Sequence, residues 1–206
     1  MSYATFSDSL GWLAVLIGVA GTYAQYRRVT TTGVAGVSLA TWVLFSYMGL
    51  FWITYGAAAH SIQVSLGSLT ILPMQVSIVV RLRPWENWAV VARALGAFLV
   101  CCVTPTLVFG WAGGLYGTGV AMTLNRLPQL LELVRHRDAT GVSAGSWYLA
   151  VGGALCWVLY YTGAHLWAAL IATAFAGLAN LTIAVLATWR HTRTRREWIA
   201  REVFAV

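Results

Sequence analysis

Lysine is absent from this chain of 206 residues, and all 13 basic residues are arginine. Without a lysine no Schiff base can form with a carbonyl cofactor, so a retinal protein is excluded. Acids are scarce as well: Asp8, Glu86, Glu132, Asp138, Glu197 and Glu202 are the whole set. Charged residues make up 9% of the chain and hydrophobic residues 59%. A soluble domain carries about 25% charged residues, so this chain could not cover a water-facing surface. The bilayer is the expected solvent. The three cysteines, Cys101, Cys102 and Cys156, sit in apolar runs at no metal-ligand spacing and read as packing residues. The formal charge of +7 then orients the chain in a membrane and is no nucleic-acid footprint.

What is present is a series of apolar runs. Spans of about 20 residues are counted at roughly 9–26, 39–58, 61–81, 87–107, 110–133, 143–163 and 166–189. The arginines fall in alternate gaps. Arg27 and Arg28 follow the first span, Arg81 and Arg83 the third, and Arg135 and Arg137 the fifth. Arg190, Arg193, Arg195 and Arg196 follow the seventh, while the gaps around His60, Gly110 and His165 have no arginine. The positive-inside rule predicts an outside N-terminus and a cytoplasmic C-terminus. Asp8 and no arginine precede the first span, so a basic leader region is lacking and that span is expected to remain as a helix.

The chain also repeats itself at a shift of 105 residues. Gly36-Val37-Ser38 falls on Gly141-Val142-Ser143, Trp42 on Trp147, Trp52 on Trp157, Tyr55 on Tyr160 and His60 on His165. Ala24-Gln25 falls on Pro128-Gln129 with one residue gapped. Each copy holds three spans that enter from outside and leave inside. The copies are therefore parallel, and the fourth span must connect them. The expected fold is an all-α polytopic membrane protein, two three-helix repeats around a linking helix. Its parts are residues 1–83, the linker 84–109, the second repeat 110–190 and a basic amphipathic tail 191–206.

Pro128-Gln129 followed by Thr140-Gly141-Val142-Ser143, with "WITYG" at Trp52 to Gly56 and the looser "WVLYYTG" at Trp157 to Gly163, resembles the PQ-loop superfamily. Within it the chain resembles the SWEET and SemiSWEET sugar transporters, over about residues 9–190. The resemblance implies alternating access and a central substrate site. It departs from the family pattern at Ala24, where proline is usual. Sixteen residues after each Trp the family carries a substrate-contacting Asn, and here those positions are Ser68 and Thr173. Proton-coupled members such as lysosomal cystine exporters carry an intramembrane carboxylate. All six acids here lie near span ends or in loops, so passive uniport is implied.

Gln75 and Asn180 form another pair at the 105-residue shift, each seven residues past Ser68 and Thr173. Each pair shares one helix face. A carboxamide in a bilayer is costly unless paired or facing a wet cavity. Ser68, Gln75, Thr173 and Asn180, flanked by Trp52 and Trp157, are the candidate substrate-binding set. Interhelical hydrogen bonding is the competing role for the four polar residues, and an interfacial belt for the two tryptophans. Pro128 is expected to bend the fifth span near its inner end as part of a gate with Gln129, Gln25 and Pro73. A plain helix end is its alternative. Ser143 or its neighbour, and Ser38, are expected to cap the helices that restart there.

The remaining motifs carry less. Gly141-Val-Ser-Ala-Gly145 matches a hydrolase elbow but precedes a membrane helix, so no enzyme is expected. Arg93 and Arg126 are expected to snorkel to the inner surface, or Arg126 to touch the inner gate. Trp12, Trp85, Trp88, Trp111, Trp167, Trp189 and Trp198 read as belt residues. The tail is expected to lie on the inner membrane surface. The expected function is passive transport of a small neutral solute, a sugar by resemblance, across a bacterial plasma membrane. A receptor or scaffold on the same fold is the alternative. No cofactor, metal or nucleic acid is implied, and a homo-oligomer is left open.

Overall fold

The computed structural model describes residues 3–60, 62–135, 138–163 and 167–203. His165 and Arg137 lie outside the described residues. So do the side chains of Asp8, Trp167, Arg195, Arg196, Glu197, Trp198 and Glu202.

The described residues form helices and no strand: α1 (Tyr3–Thr32), α2 (Leu39–Ala58), α3 (Ile62–Arg81), α4 (Trp88–Phe98), α5 (Thr104–Leu124), α6 (Leu127–Arg135), α7 (Ala144–Gly163) and α8 (Trp167–Val203). A 3-10 turn, Pro84–Glu86, precedes α4, and a π turn, Leu99–Val103, joins α4 to α5. Among the described residues, three stretches are long and apolar enough to cross a membrane: Leu39–Ala58, Ile62–Arg81 and the 48 residues Trp88–Arg135.

The last stretch cannot cross as one rod. A 48-residue helix would run about 72 Å, more than twice a core of about 30 Å. The chain breaks within it at Gly110, whose φ of 69° and ψ of −166° are non-helical. Past that point it packs back on itself. A Cβ on Gly113 would meet Pro105 O, one on Gly114 would meet Thr106 Oγ1, and one on Gly117 would meet Cys101 O. Only hydrogen at these three positions lets the arms come this close, the small-xxx-small packing used between membrane helices. Gly110 also falls where the sequence placed the gap between its fourth and fifth spans.

The helices pack as α1 on α7 and α3, α3 on α2, α8 on α7 and α5, and α4 on α2. Buried apolar residues of both halves meet in one cluster. Val37, Trp42 and Ile78 come from the first, and Val142, Trp147 and Ile183 from the second. Large apolar side chains also face outward: Leu107 is 80% exposed and Phe109 73%. Water would penalise that surface, and acyl chains suit it.

Two differences from the sequence reading concern helix ends. α8 runs without interruption to Val203, so residues 191–203 continue that helix and do not start an element of their own. α3 runs unbroken through Pro73. Pro73 is exposed, so its ring faces outward and no break marks a hinge there.

Candidate functional site

The turns Gly33–Ser38 and Asp138–Ser143 lead into α2 and α7. A helix start leaves backbone N–H groups without intrahelical partners. Ser38 Oγ accepts from Thr41 N at 3.4 Å, and Ser143 Oγ accepts from Ser146 N at 3.1 Å. Both serines therefore cap their helices, as their position suggested. The cap does not satisfy the serines' own N–H groups or the glycine carbonyls before them.

Two carboxamides complete the set, and each comes from the other half. Gln25 Nε2 donates to Gly141 O at 2.8 Å, and Gln25 Oε1 accepts from Ser143 N at 2.7 Å. Gln129 Nε2 donates to Gly36 O at 2.7 Å, and Gln129 Oε1 accepts from Ser38 N at 2.9 Å. A carboxamide offers a donor and an acceptor on one planar group, so one side chain serves both orphaned atoms. Both glutamines are 1% exposed. Gly141 N also donates to Ala35 O at 3.0 Å, and Arg28 Nε to Thr140 O at 2.6 Å. The two turns press directly together. Gly36 has φ +75°, and a Cβ there would lie 2.7 Å from Asp138 O.

The halves differ where Pro128 replaces Ala24. α1 passes through Ala24-Gln25 without a break. The matching path in the second half stops at Leu124, turns at Asn125-Arg126 and resumes at Leu127. Pro128 sits in the first turn of α6, where its missing N–H costs no intrahelical bond. The chain turns three residues before the ring, at a boundary between two helices. Arg190 closes the far end of α6 by donating to Leu133 O and Val134 O at 3.2 and 3.1 Å.

The bend exposes carbonyls, and Arg126 turns inward to meet them. Its Nη1 donates to Met122 O and to Asn125 Oδ1 (2.8 Å), and its Nε donates to Asn180 Oδ1 at 2.6 Å. The guanidinium sits 5.5 Å from the Phe45 ring centroid. Arg126 is 6% exposed. This corrects the expectation that it snorkels to the inner surface: the carbonyls freed at the bend and the Asn180 acceptor hold it inside. Arg93 is exposed and donates to Ala89 O of its own helix.

The candidate binding residues divide accordingly. Asn180 is committed to protein, because Nδ2 also donates to Ala150 O at 3.3 Å. Gln75, its counterpart by the repeat, is 8% exposed, and its Oε1 has no partner. Gln75 packs against α2, where a Cβ on Gly49 would lie 3.2 Å from that oxygen. The two carboxamides do not bond each other. Ser68 is half-buried and Thr173 buried. Trp52 belongs to an aromatic group with Phe51, Tyr55 and Trp111. Trp157 stacks on Tyr161 at 5.6 Å and meets Tyr160 edge-on. Asn125 escaped the sequence reading as a site residue, and Arg126 entered it only through the alternative that it touches the inner gate. Arg126 lies nine residues before Arg135, and Asn180 lies ten before Arg190. That similar depth was a usable signal. Compared with family models, with curated proteins and with solved structures, the chain gives no match.

Proposed function

We propose that this chain is a multi-pass membrane transporter that passes a small polar solute through alternating access, with the architecture of the PQ-loop and SWEET transporters. In this reading seven spans form two parallel three-helix repeats joined by a linking helix. The N-terminus is outside and the C-terminus cytoplasmic, and the location is the bacterial plasma membrane. α1, α2 and α3 are the first repeat. The helix from Trp88 to Phe109 is the linker. Trp111 to Arg135, α7 and α8 are the second repeat.

The observation that carries the reading is the exchange of Gln25 and Gln129 between the halves. Two halves that grip each other by matching residues at one face can rock about that grip and open at the other. A buried carboxamide oxygen without a protein donor, on Gln75, supports a polar path through the bundle. The asymmetric bend before Pro128 supports a gate in the second half. Sequence resemblance favours a sugar-like solute, and the placement of the six acids near span ends or in loops favours uniport.

Solute flux into liposomes holding the purified protein tests this. Sugars, polyols and their acidic derivatives should equilibrate down a gradient without added ions, faster than in empty liposomes. Saturable binding with no flux would instead indicate a receptor on the same fold.

A further inference from the structure

Arg126 is more than nine-tenths buried. No carboxylate lies within ion-pair reach of it among the described residues. Three of its five donors are used, on Asn180, Met122 and Asn125. Nη2 has no hydrogen-bond partner among the described residues.

Depth makes this unusual. On the transporter reading, Arg126 is nine residues of helix from Arg135 at the inner surface, about 14 Å at 1.5 Å per residue. Asn180 is ten residues from Arg190, about 15 Å. Against α2, where Thr41 donates to Asn125 O, the guanidinium lies over Phe45, six residues past Leu39 and so about 9 Å in, within the inner half of a core of about 30 Å. A cation at that depth is costly and needs a compensating group.

The opposite chemistry lies across the same wall. Met48 Sδ receives Asn125 Nδ2 at 3.4 Å, and Asn125 binds Arg126. The next residue, Gly49, adjoins Gln75 Oε1, a buried acceptor with no donor. Met48 and Gly49 are neighbours on α2, so the guanidinium, reached through Asn125, and the Gln75 acceptor both pack against that stretch of helix. The repeat does not require this pairing. Thr22 stands in the first half where Arg126 stands in the second, at the 104-residue offset that aligns Gln25 with Gln129.

We infer that this site takes a small organic anion that also carries a hydroxyl group, a hydroxy acid or sugar acid, with its carboxylate on Arg126 and its hydroxyl donating to Gln75. The assignment rests on the transporter reading for its depth and revises the expected solute from neutral to anionic. A carboxylate supplies the missing counter-charge and accepts the Nη2 hydrogens, which is the geometry arginine suits. A hydroxyl supplies the donor that Gln75 lacks.

Binding by the purified full-length protein in neutral detergent, read by tryptophan fluorescence and thermal shift, tests it. The probes are glucuronate against glucose and lactate against propionate, at fixed ionic strength. Each hydroxylated carboxylate should bind more tightly than its partner in the pair. Arg126→Gln should lose roughly 10- to 150-fold in affinity, the range for a charge-assisted hydrogen bond. Arg126→Lys should retain part of the binding, and Arg93→Gln should retain all of it. Equal binding of glucose and glucuronate overturns the inference, as does unchanged affinity in Arg126→Gln or no binding by either hydroxylated acid. Stabilisation through Arg126 by an anionic phospholipid in mixed micelles, with no effect of the soluble acids, overturns it too, because the occupant is then a headgroup. If the Arg126 variants do not fold, the paired probes on the parent protein decide. Liposome flux is a separate readout: an acid bound but not carried refutes transport and leaves the anion site standing.

Discussion

Gln25 and Gln129 trade turns: the carboxamide of Gln25 holds Ser143 N in the second half, and that of Gln129 holds Ser38 N in the first. The bond lengths, 2.7 and 2.9 Å, nearly match, and the two sets use the same atoms. A single glutamine would tie one turn down. The reciprocal pair ties the halves to each other.

Replacing either glutamine with leucine should therefore cost about 2–6 kcal/mol, because a buried N–H and a buried C=O each lose their partner at about 1–3 kcal/mol. The two variants should fall by similar amounts in detergent melting. A large loss in one and none in the other would show that the grip is one-sided.

The glycines in the turns give a steric test. Gly36→Ala forces a side chain onto a φ of +75° and against the backbone of Asp138 and Ala139. Strain and overpacking together should cost about 2–5 kcal/mol. Gly141→Ala would meet Val34 C at 2.7 Å and Ala35 N at 2.8 Å and should cost about as much. Gly96→Ala, in α4 with nothing within 4 Å, should instead raise stability by about 0.5–1 kcal/mol. Equal melting temperatures for all three would refute the tight turn contact.

How much of this was legible beforehand depends on the range of the interaction. The shift of 105 residues marked Gly36-Val37-Ser38 and Gly141-Val142-Ser143 as equivalents, and helix-start chemistry marked Ser38 and Ser143 as caps. Gln25 and Gln129 stood out as gate residues. Their exchange was not legible, because a repeat shows which positions match and not which half each side chain reaches. The break at Gly110 was readable as an arginine-free gap. Arg126 was misread because an arginine within a span ordinarily stretches to the nearest interface. What decides its direction is the carbonyls freed by the bend before Pro128 and an acceptor on α8, 54 residues away.

Gln75 and Asn180 should now respond differently to leucine. Asn180→Leu strips an acceptor from a buried guanidinium and should destabilise by about 1.5–3 kcal/mol. Gln75→Leu removes an oxygen that has no partner, so stability should hold within about 1 kcal/mol. Solute affinity should fall in Gln75→Leu. Melting and affinity on both variants check this, and matching stability losses would mean that Gln75 is helix glue after all.

Pro128→Ala restores an N–H in the first turn of α6 and lets helix form across Asn125-Arg126. Melting temperature should hold or rise, while flux should slow more than binding weakens. Unchanged flux in a well-folded variant would leave Pro128 as a helix start with no part in gating.

The two halves are held to be parallel, with both glutamine-bound turns at the cytoplasmic face. Membrane-impermeant labelling of single cysteines in place of Ala59, Arg83, Gly110 and Asp138, in oriented vesicles of a cysteine-free background, tests this most directly. The account predicts labelling from outside at Ala59 and Gly110, and from inside only at Arg83 and Asp138. Labelling of Gly110 and Asp138 from the same side would contradict it.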